Sequence, residues 1–187
     1  MSDKLYISAQ SLLDDAFKLG AMVYESGFRP TFILALWRGG VPIGIAVQEF
    51  LKYQSISSDH IAIRTASYSD IDQRSTNIQI YGTNYLLKKL CHDDRLLIVD
   101  DVFDTGHTID ALVRHLQERA RRNAPSDIRI AVPYYKPTRN QTPREPDYFL
   151  HATSEWIKFP HSLEGLTPEE VEVNRPSLFE IVKGTQE

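Results

Sequence analysis

The run Leu96-Leu97-Ile98-Val99-Asp100-Asp101-Val102-Phe103-Asp104-Thr105-Gly106-His107-Thr108 constrains this chain most. Four apolar residues lead straight into two adjacent acids, then a glycine-containing turn, then a helical pattern. The apolar run reads as a strand buried on both faces. Ile109, Leu112, Val113, Leu116 and Ala120 follow at helical spacing, so the Asp104 to Thr108 turn falls at a helix N-terminus. There, free amide N–H groups and the positive end of the helix dipole favour a phosphate, and the hydroxyls of Thr105 and Thr108 add donors. Asp100 and Asp101 can then accept hydrogen bonds from sugar hydroxyls or hold Mg²⁺. A ligand carrying ribose, phosphate and a metal meets all of these demands. An ordinary strand, turn and helix capped by Asp104 or Thr105 explains the threonine and the glycine. It leaves unexplained two further acids at the end of a buried strand, where their mutual repulsion calls for a counter-ion.

Strand and helix patterns alternate on either side of this run. Ser8 can cap a helix whose apolar face is Leu12, Leu13, Ala16, Phe17, Val23 and Tyr24, with Gly27 ending it and Pro30 barring continuation. Thr31 to Leu36 is a continuous apolar strand, a Gly39-Gly40 turn opens a helix from about Val41 to Tyr53, and Ile61-Ala62-Ile63 is a short strand. The polar segment Ala66 to Gln79 has no core pattern and reads as a mobile loop. Ile128 to Val132 is a further strand and Lys136 to Pro146 a proline-rich connection. From Tyr148 onward come short strands and a turn of helix at Pro168-Glu169-Glu170. With no internal repeat and no low complexity, this alternation implies an α/β fold, a mostly parallel twisted sheet with helices on both faces. Ligands of such sheets sit beyond the strands' C-terminal ends, where the candidate residues fall.

Composition narrows the class. With 187 residues, 42% hydrophobic and 25% charged, the chain can bury a sizeable core, and 1–187 is expected to be a single domain. The lone Cys91 excludes an internal disulfide, fits a reducing cytosol and reads as a small buried hydrophobe. No segment approaches the roughly 18 apolar residues that a membrane span needs, and the N-terminus lacks a long apolar stretch, so a cytoplasmic location with no membrane partner is expected. Net charge is −4 with dispersed basic residues. The exception, Arg119, Arg121 and Arg122, suits a helix C-terminus better than nucleic acid.

The acid pair with Asp-Thr-Gly-x-Thr resembles the phosphoribosyl pyrophosphate (PRPP) motif of the type I phosphoribosyltransferases, over roughly Thr31 to Pro160. The resemblance implies that family's sheet plus a small hood, with the core at about 31–160. It assigns Asp100, Asp101, Asp104, Thr105, Gly106, His107 and Thr108 to PRPP and its ribose, with Asp100 and Asp101 also on Mg²⁺. Trp37-Arg38-Gly39-Gly40 follows the first buried strand, and Arg38, Gly39 and Gly40 match the family's pyrophosphate loop; alone, Arg-Gly-Gly is more often just a turn. Ser67-Tyr68 resembles the start of the flexible catalytic loop, or is a solvated loop. Lys136 matches the lysine with which 6-oxopurine enzymes donate to O6. Trp156-Ile157-x-Phe159-Pro160 resembles their base-recognition segment, the aromatic stacking on the purine and the Ile157 carbonyl reading its 2-position. Without the resemblance, Lys136 would face solvent and Trp156 would be a core or edge aromatic. After Pro160 many relatives carry Trp and an acid that helps bind a second Mg²⁺, whereas this chain has His161-Ser162-Leu163-Glu164.

The activity so implied is transfer of the phosphoribosyl group from PRPP to hypoxanthine, guanine or xanthine in purine salvage, releasing pyrophosphate. Asp104 would be the general base, Mg²⁺ the cofactor, and a homo-oligomer, dimer or tetramer, the assembly. A PRPP-sensing regulator would keep the acids and the turn but need not keep Lys136 or Trp156. A transferase for uracil, orotate or adenine is discriminated at the same two positions.

Overall fold

The computed structural model describes residues 4–68 and 77–183. The chain divides into two compact units, one spanning Gln10–Ser154, the other joining the N-terminal residues through Ala9 to those from Glu155 onward. In order, the elements are β1 (Lys4–Tyr6), α1 (Ala9–Glu25), β2 (Phe32–Trp37), α2 (Gly40–Tyr53), β3 (Asp59–Tyr68), β4 (Asn77–Tyr81), α3 (Asn84–Lys89), β5 (Arg95–Val99), β6 (Val102–Phe103), α4 (His107–Ala120), β7 (Asp127–Tyr135), β8 (Tyr148–Ala152), β9 (Trp156–Lys158), α5 (Pro168–Asn174) and α6 (Pro176–Lys183). Among the described residues, no helix is long and apolar enough to cross a membrane.

The larger unit holds a sheet of order β4-β3-β2-β5-β7-β6, with β8 also on β7. All its pairs are parallel except β3 with β4. Alternation along the strands divides the core in two. Phe32, Leu34, Leu36, Leu96, Ile98, Ile130 and Val132 pack with Leu86 of α3 and with Ile109, Leu112, Val113 and Leu116 of α4. On the other face, Gly44 of α2 lies so close to Ala35 that an added Cβ would sit 2.9 Å from the alanine methyl, and Gly20 of α1 admits Phe50 of α2 in the same way. The helices thus cover both faces, as the alternating sequence requires.

One break in this sheet positions the acids. Register pairs Val99 with Ala131 and then Val102 with Tyr134, so the ladder stops at Asp100-Asp101 and resumes unshifted. Opposite the break stands Val132-Pro133, and the β8 ladder likewise skips Pro133. Proline has no N–H to give a ladder.

Four local readings need correction. In α1 the buried stripe is Leu12, Asp15, Ala16, Leu19, Gly20 and Val23, while Leu13 and Phe17 are exposed. The helical period selects that stripe, and Asp15 is tolerated inside because Lys18 and His151 meet its two oxygens at 2.9 and 2.7 Å. The polar Ala66 to Gln79 segment is strand at both ends, since antiparallel pairing of Ala66 with Gln79 and Ser67 with Ile78 satisfies backbone groups without an apolar core. Cys91 is exposed, in the turn before β5, where Asp94 accepts its backbone N–H at 2.7 Å. Finally, the helix begun at Pro168 runs to Asn174 and a further helix, α6, follows it.

Candidate active site

Parallel pairing of β2 with β5 brings the C-terminal ends of these strands side by side, Ala35 beside Val99. The Arg38-Gly39-Gly40 turn therefore abuts the acid pair. A Cβ on Gly39 would collide with the Asp101 carboxylate; one on Gly40 would meet the Val99 carbonyl and lie 2.9 Å from Asp100 Cα. Only glycine fits at either place, and the reason is steric, since Gly39 itself has an ordinary helical backbone at φ −64° and ψ −33°. The Trp37–Arg38 peptide is cis, and Arg38 O accepts the Val41 N–H at 3.2 Å to start α2.

Asp100 Oδ1 accepts the Asp101 N–H at 2.9 Å. Burial pushes the Asp100 carboxyl well above the usual carboxylate range; the Asp101 charge pushes the same way, against the Asp101 N–H. Two hard oxygen groups packed against a glycine turn suit Mg²⁺, which takes one or two carboxylates and completes its shell with substrate oxygens and water. Among the described residues no group of three or more His, Cys, Asp or Glu side chains is placed to hold a metal.

Beyond β6 the chain turns through Gly106, at φ 81°, which caps α4 in place of Asp104 or Thr105 and makes no side-chain cap bond. Its carbonyl accepts the Asp110 N–H at 3.0 Å, and the N–H groups of the first helical turn are available to an anion. Residues 140–142 back this turn. Gln141 donates its N–H to Thr105 O at 3.0 Å, His107 Nε2 lies 3.0 Å from Gln141 Oε1, and a Cβ on Gly106 would lie 2.8 Å from Asn140 Oδ1 and closer still to Thr142.

Asp104 faces two cations. Buried Lys136 donates to its Oδ2 at 3.2 Å, while Arg139 Nε is 2.6 Å from Oδ1. That second contact is an ion pair without an aligned hydrogen bond, because Oδ1 has no donor aimed at it. Lys136 is thus buried on Asp104 and not solvent-facing. Arg139 escaped the sequence reading. The signal was its place in Lys136-Pro137-Thr138-Arg139, since a 3₁₀ turn over Pro137–Arg139 returns the third residue to the same side.

Ser67 and Tyr68 end β3, their backbones paired with Ile78 and Asn77; their side chains and residues 69–76, where the expected catalytic loop continues, lie outside the described residues. In the smaller unit, Trp156 and Ile157 belong to β9, paired in parallel with Lys4 and Leu5 of β1. Trp156 is 48% exposed, an edge aromatic and not a core one. Buried Lys158 sets its ammonium 5.7 Å from the Trp156 ring centroid and donates to Glu164 O at 2.8 Å. At the departure from the family, His161 stacks on Phe159, centroids 5.4 Å apart.

The family profile of the phosphoribosyl transferase domain matches residues 7–166, and the chain belongs to that family. Its fold is shared with purine phosphoribosyltransferase from Pyrococcus horikoshii, at 26% identity and TM-score 0.66 over 88% of this chain and 97% of that one. A hypothetical protein from Neisseria gonorrhoeae with bound ppGpp superposes with TM-score 0.72 at 17% identity, covering 97% and 98%. Xanthine-guanine-hypoxanthine phosphoribosyltransferase from Helicobacter pylori does so with TM-score 0.63 at 20% identity, covering 94% and 99%. No curated protein sequence matches the chain.

Proposed function

We propose that this phosphoribosyltransferase moves the 5-phosphoribosyl group of PRPP onto hypoxanthine, guanine or xanthine, yielding the nucleoside monophosphate and pyrophosphate, as a Mg²⁺-dependent, cytoplasmic enzyme of purine salvage. The observation that carries this reading is Lys136 buried on Asp104, beside an acid pair and a phosphate-type turn. A cation fixed at that point favours a base presenting an acceptor, as O6 of a 6-oxopurine does and the amino group of adenine does not. The purine enzyme from Pyrococcus horikoshii supports the same substrate class.

In this reading the α4 N-terminus and the hydroxyls of Thr105 and Thr108 anchor the 5′-phosphate. Asp100 and Asp101 accept from the ribose hydroxyls, and Arg38 with the Gly39-Gly40 amides holds the pyrophosphate. The purine nitrogen attacks C1 as the C1–O bond to pyrophosphate breaks, through an oxocarbenium-like state. Asp104 takes the ring N–H proton, and the leaving group departs with both bond electrons. Mg²⁺ held by Asp100 and Asp101 would supply charge neutralisation for the departing pyrophosphate. Trp156 offers a stacking face for the base and the Ile157 carbonyl an acceptor for its 2-substituent.

The test is a steady-state assay of hypoxanthine, guanine, xanthine and adenine with PRPP and Mg²⁺. At least one 6-oxopurine is expected to exceed adenine by about 10² or more in kcat/KM. Adenine or a pyrimidine as preferred substrate overturns the base assignment. PRPP binding with no transfer to any base would instead favour a regulator.

A further inference from the structure

Arg175 lies beyond the matched segment 7–166, at the junction of α5 and α6, where both helices fix its backbone. Its N–H donates to Val171 O at 2.8 Å, and its carbonyl accepts from Phe179 N at 2.9 Å and Leu178 N at 3.0 Å. From that mount the guanidinium reaches back into the loop after β9. Nη1 donates to Ser162 O at 2.7 Å and, more loosely, to Pro160 O at 3.4 Å; Nη2 donates to Phe159 O at 2.6 Å and to Lys158 O at 3.4 Å. Carbonyls across a five-residue span thus converge on one planar fork, an arrangement that a single ammonium cannot reproduce.

This loop has no regular ladder of its own. The β9 strand is three residues long, and beyond its pairing with β1 the chain is fixed by Ile7 N–H on Lys158 O and by Ser162 N–H on Phe159 O. The α5 mount is well anchored. Thr167 and Glu170 form a reciprocal capping box, and Lys4 of β1 ion-pairs with Glu170. Lys158, whose carbonyl Arg175 holds, also carries the ammonium near the Trp156 ring.

We infer that Arg175 is a positioning residue for the base: the α5–α6 pair exists to deliver one guanidinium that shapes the Lys158–Ser162 loop and thereby orients Trp156 and Ile157. The inference rests on the proposed purine role of those two residues.

The experiment compares wild type, Arg175→Ala and Arg175→Lys by steady-state kinetics and by amide hydrogen exchange in the full chain. For Arg175→Ala, the purine KM should rise about 10- to 100-fold, the range for lost hydrogen bonds from a charged donor, with PRPP KM and kcat within about twofold. Exchange in peptides covering 156–166 should accelerate about tenfold while β5 and α4 peptides stay unchanged. Arg175→Lys, which keeps the charge but not the fork, should fall between the two in both readouts and serves alone if the alanine variant does not fold. Unchanged exchange in 156–166 overturns the inference. So does a parallel loss of PRPP KM, purine KM and kcat, the signature of general damage. If wild type transfers to no purine, the substrate reading has failed, and the exchange data still report whether Arg175 holds the loop.

Discussion

The regions proposed to take the phosphate and the base, called here the phosphate side and the base side, are built on opposite plans. Around Asp100 to Thr108, every feature follows from neighbours in sequence or from adjacent strands: a buried strand, a ladder break, a left-handed glycine and a helix start. Around Trp156, a three-residue strand pairs with β1 from the start of the chain, and the irregular loop after it is held by the Arg175 guanidinium and by Lys158 of β9 itself. Local construction on a central sheet gives a rigid anchor. Construction by long-range clamps leaves a surface that can be retuned by changing one clamp.

Substitutions separate the two plans. The largest effect is expected from Asp104→Asn, which keeps the size of the side chain but removes proton acceptance: kcat should fall by about 10² to 10⁴ with PRPP affinity little changed. An unchanged kcat would remove Asp104 from catalysis and leave it a partner for Lys136 and Arg139. Next comes Gly40→Ala, whose new methyl has to displace the strand end carrying Asp100. A shift near 1 Å is expected to cost about 10² in kcat/KM, accompanied by a lower melting temperature. Full activity in that variant would show that the phosphate side yields as readily as the base side, and the contrast would fail.

A smaller and narrower loss is expected from Trp156→Ala. Removing one stacking face should weaken the purine by about 1–3 kcal/mol and leave PRPP binding intact, as measured by the two KM values. Equal losses for both substrates would mean that the two sides are not independent. The smallest effect concerns His115 on α4, which accompanies the phosphate side but touches no ligand residue. Burial holds its pKa below the usual histidine value, and Arg119 acts in the same direction. The folded state therefore binds fewer protons there than the unfolded chain, so stability is full above about pH 6.5 and declines as pH falls through the folded pKa. Urea midpoints between pH 7 and 5 should drop less steeply in His115→Gln; identical slopes would show that His115 contributes nothing.

The same contrast explains what the sequence disclosed. Periodicity exposed β5, α4 and the turn between them because burial on both faces writes itself into consecutive residues. The acid pair and the glycine turn stood out for the same reason: their chemistry is contiguous. Asp15 in the buried stripe of α1 was hidden, since a carboxylate reads as surface until His151, remote in sequence, is brought beside it. Arg175 was invisible for a like reason, because its partners are main-chain carbonyls, which every residue possesses and no side-chain pattern announces. Arg139 lay one short turn from a residue already singled out. The α5–α6 pair was half legible, its start marked by Thr167-Pro168-Glu169-Glu170 and its extent unmarked.

Pro133 belongs to no binding loop and reaches no ligand, yet both ladders of β7 skip it. On the β5 side, the carboxylates at Asp100 and Asp101 stand in the interval so created. A missing hydrogen on one strand thus sets the address of two carboxyl groups on the next. An inherited change at Pro133 would restore the hydrogen and invite β5 and β6 to zip into one strand. Such a lesion would displace both carboxyl groups while leaving each acidic residue in place.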